Sequence, residues 1–74
     1  MAKRVKGRLV RDGKYEFQVD KEGNTLGMWV YQARDEYGLP MAAAYCKSDL
    51  IEKLIEEFGT ADFKIVREFD ETLR

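Results

Sequence analysis

The chain has no histidine, one cysteine and one proline in 74 residues, and each scarcity closes off a class of function. Without histidine, the commonest general base, proton shuttle and metal ligand is missing. A lone cysteine, Cys46, cannot close an internal disulfide, and without a histidine or cysteine cluster the usual zinc and iron–sulfur ligand sets cannot be assembled. No metal and no cofactor are therefore expected. No apolar run reaches spanning length, and Lys3, Arg4, Lys6 and Arg8 interrupt the amino-terminal stretch, so neither a signal peptide nor a membrane span is expected and a cytoplasmic setting is. The six glycines never fall into a phosphate-cradling G-x-G-x-x-G or G-x-x-x-x-G-K pattern.

What the chain does contain is a helical stripe. Leu50, Ile51, Leu54, Ile55 and Phe58 recur on one face of residues 48–58 while Glu52, Lys53, Glu56 and Glu57 fall on the other, which predicts an amphipathic helix. Ser48 or Asp49 is expected to cap its start, with Glu52 completing a capping box from Asp49, and Gly59 to end it in the left-handed conformation. Leu54 is the expected centre of the core.

The rest reads as strands. Residues 3–10 and 14–20 are expected to pair through a three-residue loop, Arg11-Asp12-Gly13, which sets Val5 against Val19, Gly7 against Phe17 and Leu9 against Tyr15 on one face. After a turn at Lys21-Glu22-Gly23-Asn24 of even length, Phe17 faces Met28 and Tyr15 faces Val30, with Trp29 and Tyr31 on the opposite side. This third strand runs from Thr25 to about Arg34, and Gly27 within it marks a bulge, a bend or a close backbone approach. Asp35 to Gly38 is the next turn. Leu39 to Cys46 is taken as a fourth strand rather than the start of a helix, since small residues leave room beneath the helix. Phe63 to Phe69 alternates as a fifth strand, with Arg67 the exception among its inward positions; it can lie antiparallel to the first strand or parallel to the fourth by a right-handed crossover, and the first is preferred because Glu68, Asp70 and Glu71 would there offset its basic charge. The predicted whole, residues 1–74, is a single α+β domain: a small antiparallel β-meander sheet with one amphipathic helix packed on one face, in the order β-β-β-β-α-β.

In outline, these hairpin strands followed by one helix resemble the amino-terminal arms of phage integrases and small phage-encoded regulators, which would make the chain a phage or bacterial regulator. The fifth strand and the acidic helix depart from the integrase arm.

Candidate chemistry is sparse. Cys46, beside Lys47 and the helix start, has no histidine to activate it and reads as a structural residue, and Ser48 reads as a cap. The adjacent carboxylates at Asp35-Glu36, Glu56-Glu57 and Asp70-Glu71 sit in a turn, on a solvated helix face and in the tail, so no enzyme is expected. Charge is uneven: residues 1–14 carry six basic groups and one acid, leaving seven basic and thirteen acidic beyond them. On the expected outer sheet face, Trp29 and Tyr31 stand near Arg4, Lys6, Arg8 and Lys14. Such a surface suits protein–protein interaction, since Trp, Tyr and Arg dominate interface hot spots. It also suits single-stranded nucleic acid, whose bases stack on aromatics while phosphates meet cations. A structural homodimer without a separate ligand site is the third reading. A protein partner or a second copy is favoured over nucleic acid because the body beyond the first strand is acidic.

Overall fold

The computed structural model describes residues 7–71. In chain order it has β1 (Arg8–Asp12), β2 (Tyr15–Val19), β3 (Thr25–Arg34), β4 (Pro40–Ala44), α1 (Lys47–Phe58) and β5 (Lys64–Asp70). This is the expected β-β-β-β-α-β order, an antiparallel meander of four strands joined by a fifth, with the helix packed against the sheet.

The ten residues of β3 organise the sheet because it is twice as long as β2 or β4. Met28 pairs at once with Phe17 of β2 and Asp70 of β5, and Tyr31 to Arg34 pair with both β4 and β5. A strand has two edges, so β2 and β4 lie end to end along one of them and β5 takes the other from Met28 to Arg34. β5 thus pairs with β3, not with β1 as its charges suggested, because two short strands on one edge leave the second edge of β3 open. Glu68 meets Arg34 at 3.1 Å instead of the basic first strand. Gly27 shows why the approach is so close: a Cβ there would collide with the Asp70 carbonyl oxygen and come within 2.6 Å of the Phe69 ring.

The two hairpins flanking β3 share one device. Asp20 accepts the amides of Glu22 and Asn24 on its carboxylate, and Asp35 accepts those of Tyr37 and Leu39. In each loop the glycine three residues on, Gly23 or Gly38, adopts a φ of 86° or 83° that other residues resist. The closing pairs, Asp20 with Asn24 and Asp35 with Leu39, enclose an odd number of residues, and a bulge in the following strand restores the register. The expected even-length loop is therefore wrong, yet Phe17 does face Met28 because Leu26 is the inserted residue.

The first hairpin differs from expectation. Arg8 pairs with Val19, Val10 with Phe17 and Asp12 with Tyr15 around a two-residue Gly13-Lys14 turn. Gly13 alone takes positive φ, at 65°, the pattern of a type II′ turn whose twist matches the strands. This register places Arg11 beside Glu16, where it closes an ion pair at 3.1 Å. The expected contacts of Arg4, Val5 and Lys6 lie outside the described residues.

The helix begins one residue earlier than expected. Cys46, extended at φ −145° and ψ 156°, is its N-cap: the thiol accepts the Asp49 amide at 3.4 Å, so neither Ser48 nor Asp49 caps. Asp49 is engaged elsewhere, by Lys14. Gly59 ends the helix in the left-handed conformation as expected, its amide returning to the Ile55 carbonyl. Leu50 and Leu54 are fully buried against Ala33, with Tyr31, Ala42, Ala44, Phe63 and Ile65 around them. Each leucine contributes about 1.5–3 kcal/mol by burial. The buried stripe is narrower than the sequence suggested, since Ile55 is 53% and Phe58 41% exposed.

Directly opposed residues share a face, so Ala33, Tyr31 and Trp29 lie on the helix side together with Ala42, Ala44, Ile65, Arg67 and Phe69. Val10, Phe17, Met28, Val30 and Val66 lie on the other. The helix covers the face opposite to the one its apolar alternation indicated.

Candidate functional site

The helix covers only the β4 end of its face, and beyond it lies a polar and aromatic cluster. β2 points Glu16 and Gln18 to this side, and both are buried, at 7% and 6% exposure. The Tyr31 hydroxyl donates to Glu16 Oε1 at 3.0 Å, and the Arg67 and Arg11 guanidiniums reach Oε1 and Oε2 at 3.2 and 3.1 Å. Burial alone would raise the Glu16 carboxyl, but the Tyr31 hydroxyl and the Arg67 and Arg11 charges outweigh it and hold it below the ordinary carboxylate range. The Tyr31 phenol is pushed up, first by burial and then by its bond to the ionised Glu16. One rung along, Trp29 Nε1 donates to Gln18 Oε1 at 3.1 Å, the Arg67 guanidinium lies 4.0 Å over the indole, and Phe69 meets the ring at 5.3 Å.

This arrangement is closed on itself. An ionised Glu16 already held by a hydroxyl and two guanidiniums has little capacity to act as a base. The Trp29 face that a base would stack on is occupied by Arg67. Sequence reasoning put Trp29 and Tyr31 on the outer face; they stand instead on the helix side, with Tyr31 packed against the core cluster. Their cationic neighbours are Arg11 and Arg67. Arg8 points to the helix-free side opposite Val19, and Lys14 reaches across to Asp49 at 2.9 Å, which raises its pKa and lowers that of Asp49. Arg4 and Lys6 lie outside the described residues. The structure thus brings together Trp29 and Tyr31 and turns Arg8 to the opposite face, while Lys14 is on the helix side and held by Asp49. Arg67 was visible in advance as the charged residue on an inward position; Glu16 and Gln18 carried no such mark.

The helix-free face is the more open surface. Tyr15, Phe17, Met28, Val30 and Val66 form a half-buried apolar band there with no element over it among the described residues. Asp12, Glu68 and Asp70 stand at its flanks by register. Gln32 lies within the band and has a buried side-chain oxygen without a hydrogen-bond partner.

Among the described residues no group of three or more histidine, cysteine or acidic side chains is placed to hold a metal, and no helix is long and apolar enough to cross a membrane. The depression along the outer helix face is lined by the charged Asp49, Glu52, Lys53, Glu56 and Glu57. Compared with models of known families, with curated proteins and with solved structures, the chain finds no match.

Proposed function

We propose that the protein is a small non-enzymatic binding module of the cytoplasm that engages another protein through the helix-free sheet face. One observation carries this reading: β2 buries its polar side chains, Glu16 and Gln18, and leaves its aromatic ones, Tyr15 and Phe17, half-exposed. A strand serving only its own core would do the reverse, and uncovered apolar surface rimmed by polar groups is the mark of an interface. The complementary partner presents an apolar patch with a mixed polar rim, because Asp12, Glu68 and Asp70 flank the band together with Arg8, Arg34 and Lys64, and Glu68 is already paired with Arg34. The chain has a net charge of minus one, with thirteen of its fourteen acids beyond residue 14. That balance and the Arg67 cover over Trp29 weigh against single-stranded nucleic acid.

Phe17→Lys tests the reading. The variant should keep the parent's circular dichroism and lose a partner that nuclease-treated lysate still yields to the parent, while single-stranded oligonucleotides leave Trp29 fluorescence unchanged. Partner recovery equal to the parent's, or recovery abolished by nuclease, would contradict it.

A further inference from the structure

β5 is hydrogen-bonded to β3 along one edge and, among the described strands, has no neighbour on the other. Its seven residues, Lys64-Ile65-Val66-Arg67-Glu68-Phe69-Asp70, are complementary to themselves when reversed. Laid antiparallel on a second copy about Arg67, Lys64 faces the partner's Asp70 and Ile65 faces the partner's Phe69, each contact occurring twice by symmetry. The centre sets Arg67 against itself, which would ordinarily repel. Here the guanidinium lies over Trp29 at 4.0 Å and on Glu16 at 3.2 Å, so it points inward across the sheet and away from the seam.

The helix leaves room for such a neighbour. α1 packs over β4 and β3 without a close backbone approach to β5, and Lys53 Nζ reaches the Ala43 carbonyl on the β4 flank. At about 100° per residue, Ile55 falls on the flank away from Lys53. On that flank Ile55 and Phe58 are 53% and 41% exposed, and the Phe58 ring lies 5.4 Å from Phe63, which leads into β5. Phe58, through Phe63, thus marks the helix flank nearer β5, on whose helix side the partner's Phe69 would arrive beside Ile65.

We infer that the chain forms a two-fold dimer in which two β5 edges pair antiparallel about Arg67, joining two sheets into one, with Ile55 and Phe58 covering the seam on the helix side. The seam runs along the β5 edge and shares Val66, Glu68 and Asp70 with the margin of the helix-free face, but its test reads the oligomeric state rather than capture of another protein, so the two readings fail separately.

Sedimentation equilibrium across micromolar to millimolar concentrations should give a dimer. Lys64→Glu and Asp70→Lys should each weaken it by about tenfold by setting like charges opposite one another, and the double exchange should restore it. In a Cys46→Ser background, serine being a helix cap as well, a mixture of Val66→Cys and Glu68→Cys chains should oxidise to a cross-linked pair while neither variant does so alone. The directly opposed positions fall within disulfide reach, at about 4.5–5.5 Å between Cα atoms. A monomer mass at every concentration overturns the inference. So does a dimer indifferent to both charge reversals and lacking the mixed cross-link, which would place the second copy on another surface.

Discussion

The two faces of β2 and β3 show how the same two strands can be finished in opposite ways. On the helix side a carboxylate, an amide, a phenol and an indole satisfy one another: Glu16 takes Tyr31, Arg67 and Arg11, and Gln18 takes Trp29. On the helix-free side Phe17, Met28 and Val30 lie with Val10, Tyr15 and Val66 in an apolar band that no element covers among the described residues. The polar groups are the buried ones because a hydrogen-bonded network can be closed within one sheet face, whereas an apolar band can be closed only by another surface. The face richer in polar groups is the one closed within itself, and the apolar band is the one left uncovered among the described residues.

The largest expected effect lies where the helix covers the sheet. Leu54→Ala should cost about 2–5 kcal/mol, which a domain of this size can scarcely tolerate, while Met28→Ala on the other face should cost about 1 kcal/mol or less. Urea melts of the two variants check this, and equal losses would show the faces to be equally buried.

A smaller effect is expected at the Glu16 cluster. Glu16→Gln keeps the shape but removes the charge that Arg67 and Arg11 share, at about 1–2 kcal/mol, the lower end applying because Arg11 is 72% exposed. The carboxyl's pKa is lower folded than unfolded, so its contribution is fully present above the unfolded value of about 4.3 and is lost as pH falls through the folded value. The variant should therefore show a flatter acid limb in a plot of melting temperature against pH. Asp20 and Asp49, held low by the Asn24 amide and by Lys14 respectively, keep part of that limb in both proteins. Parallel limbs would show Glu16 to be solvated rather than engaged.

The helix, the third strand and the order of elements along the chain could be read from the sequence because each rests on local pattern. The i, i+4 spacing of Leu50 and Leu54, Gly59 past the last turn and the alternation from Thr25 to Arg34 are consequences of near neighbours. The face was misread because alternation states only that two sets of side chains diverge. Choosing the apolar set Phe17, Met28 and Val30 as the core side assumed that the sheet would spend those residues on its own helix. The position of β5 was hidden for a related reason. Nothing local says that β2 and β4 will share one edge of β3, although the recurring Asp-x-x-Gly in the two flanking loops, with a bulge after each, was an available sign that both hairpins turn alike. Of the candidate site residues, Trp29 and Tyr31 do stand together, Arg8 is turned to the other face, and Arg11 and Arg67 meet the cluster from strands whose register was wrongly drawn.

The claim at the centre of this account is that the helix lies over Tyr31 and Ala33 and leaves Met28 and Val30 open. Methyl NMR spectra recorded with a soluble paramagnetic agent test it directly. Strong attenuation of the Met28 and Val30 methyls with preserved Ala33, Leu50 and Leu54 signals is the predicted result. Protected Met28 and Val30 beside an attenuated Ala33 would place the helix on the other face and contradict it.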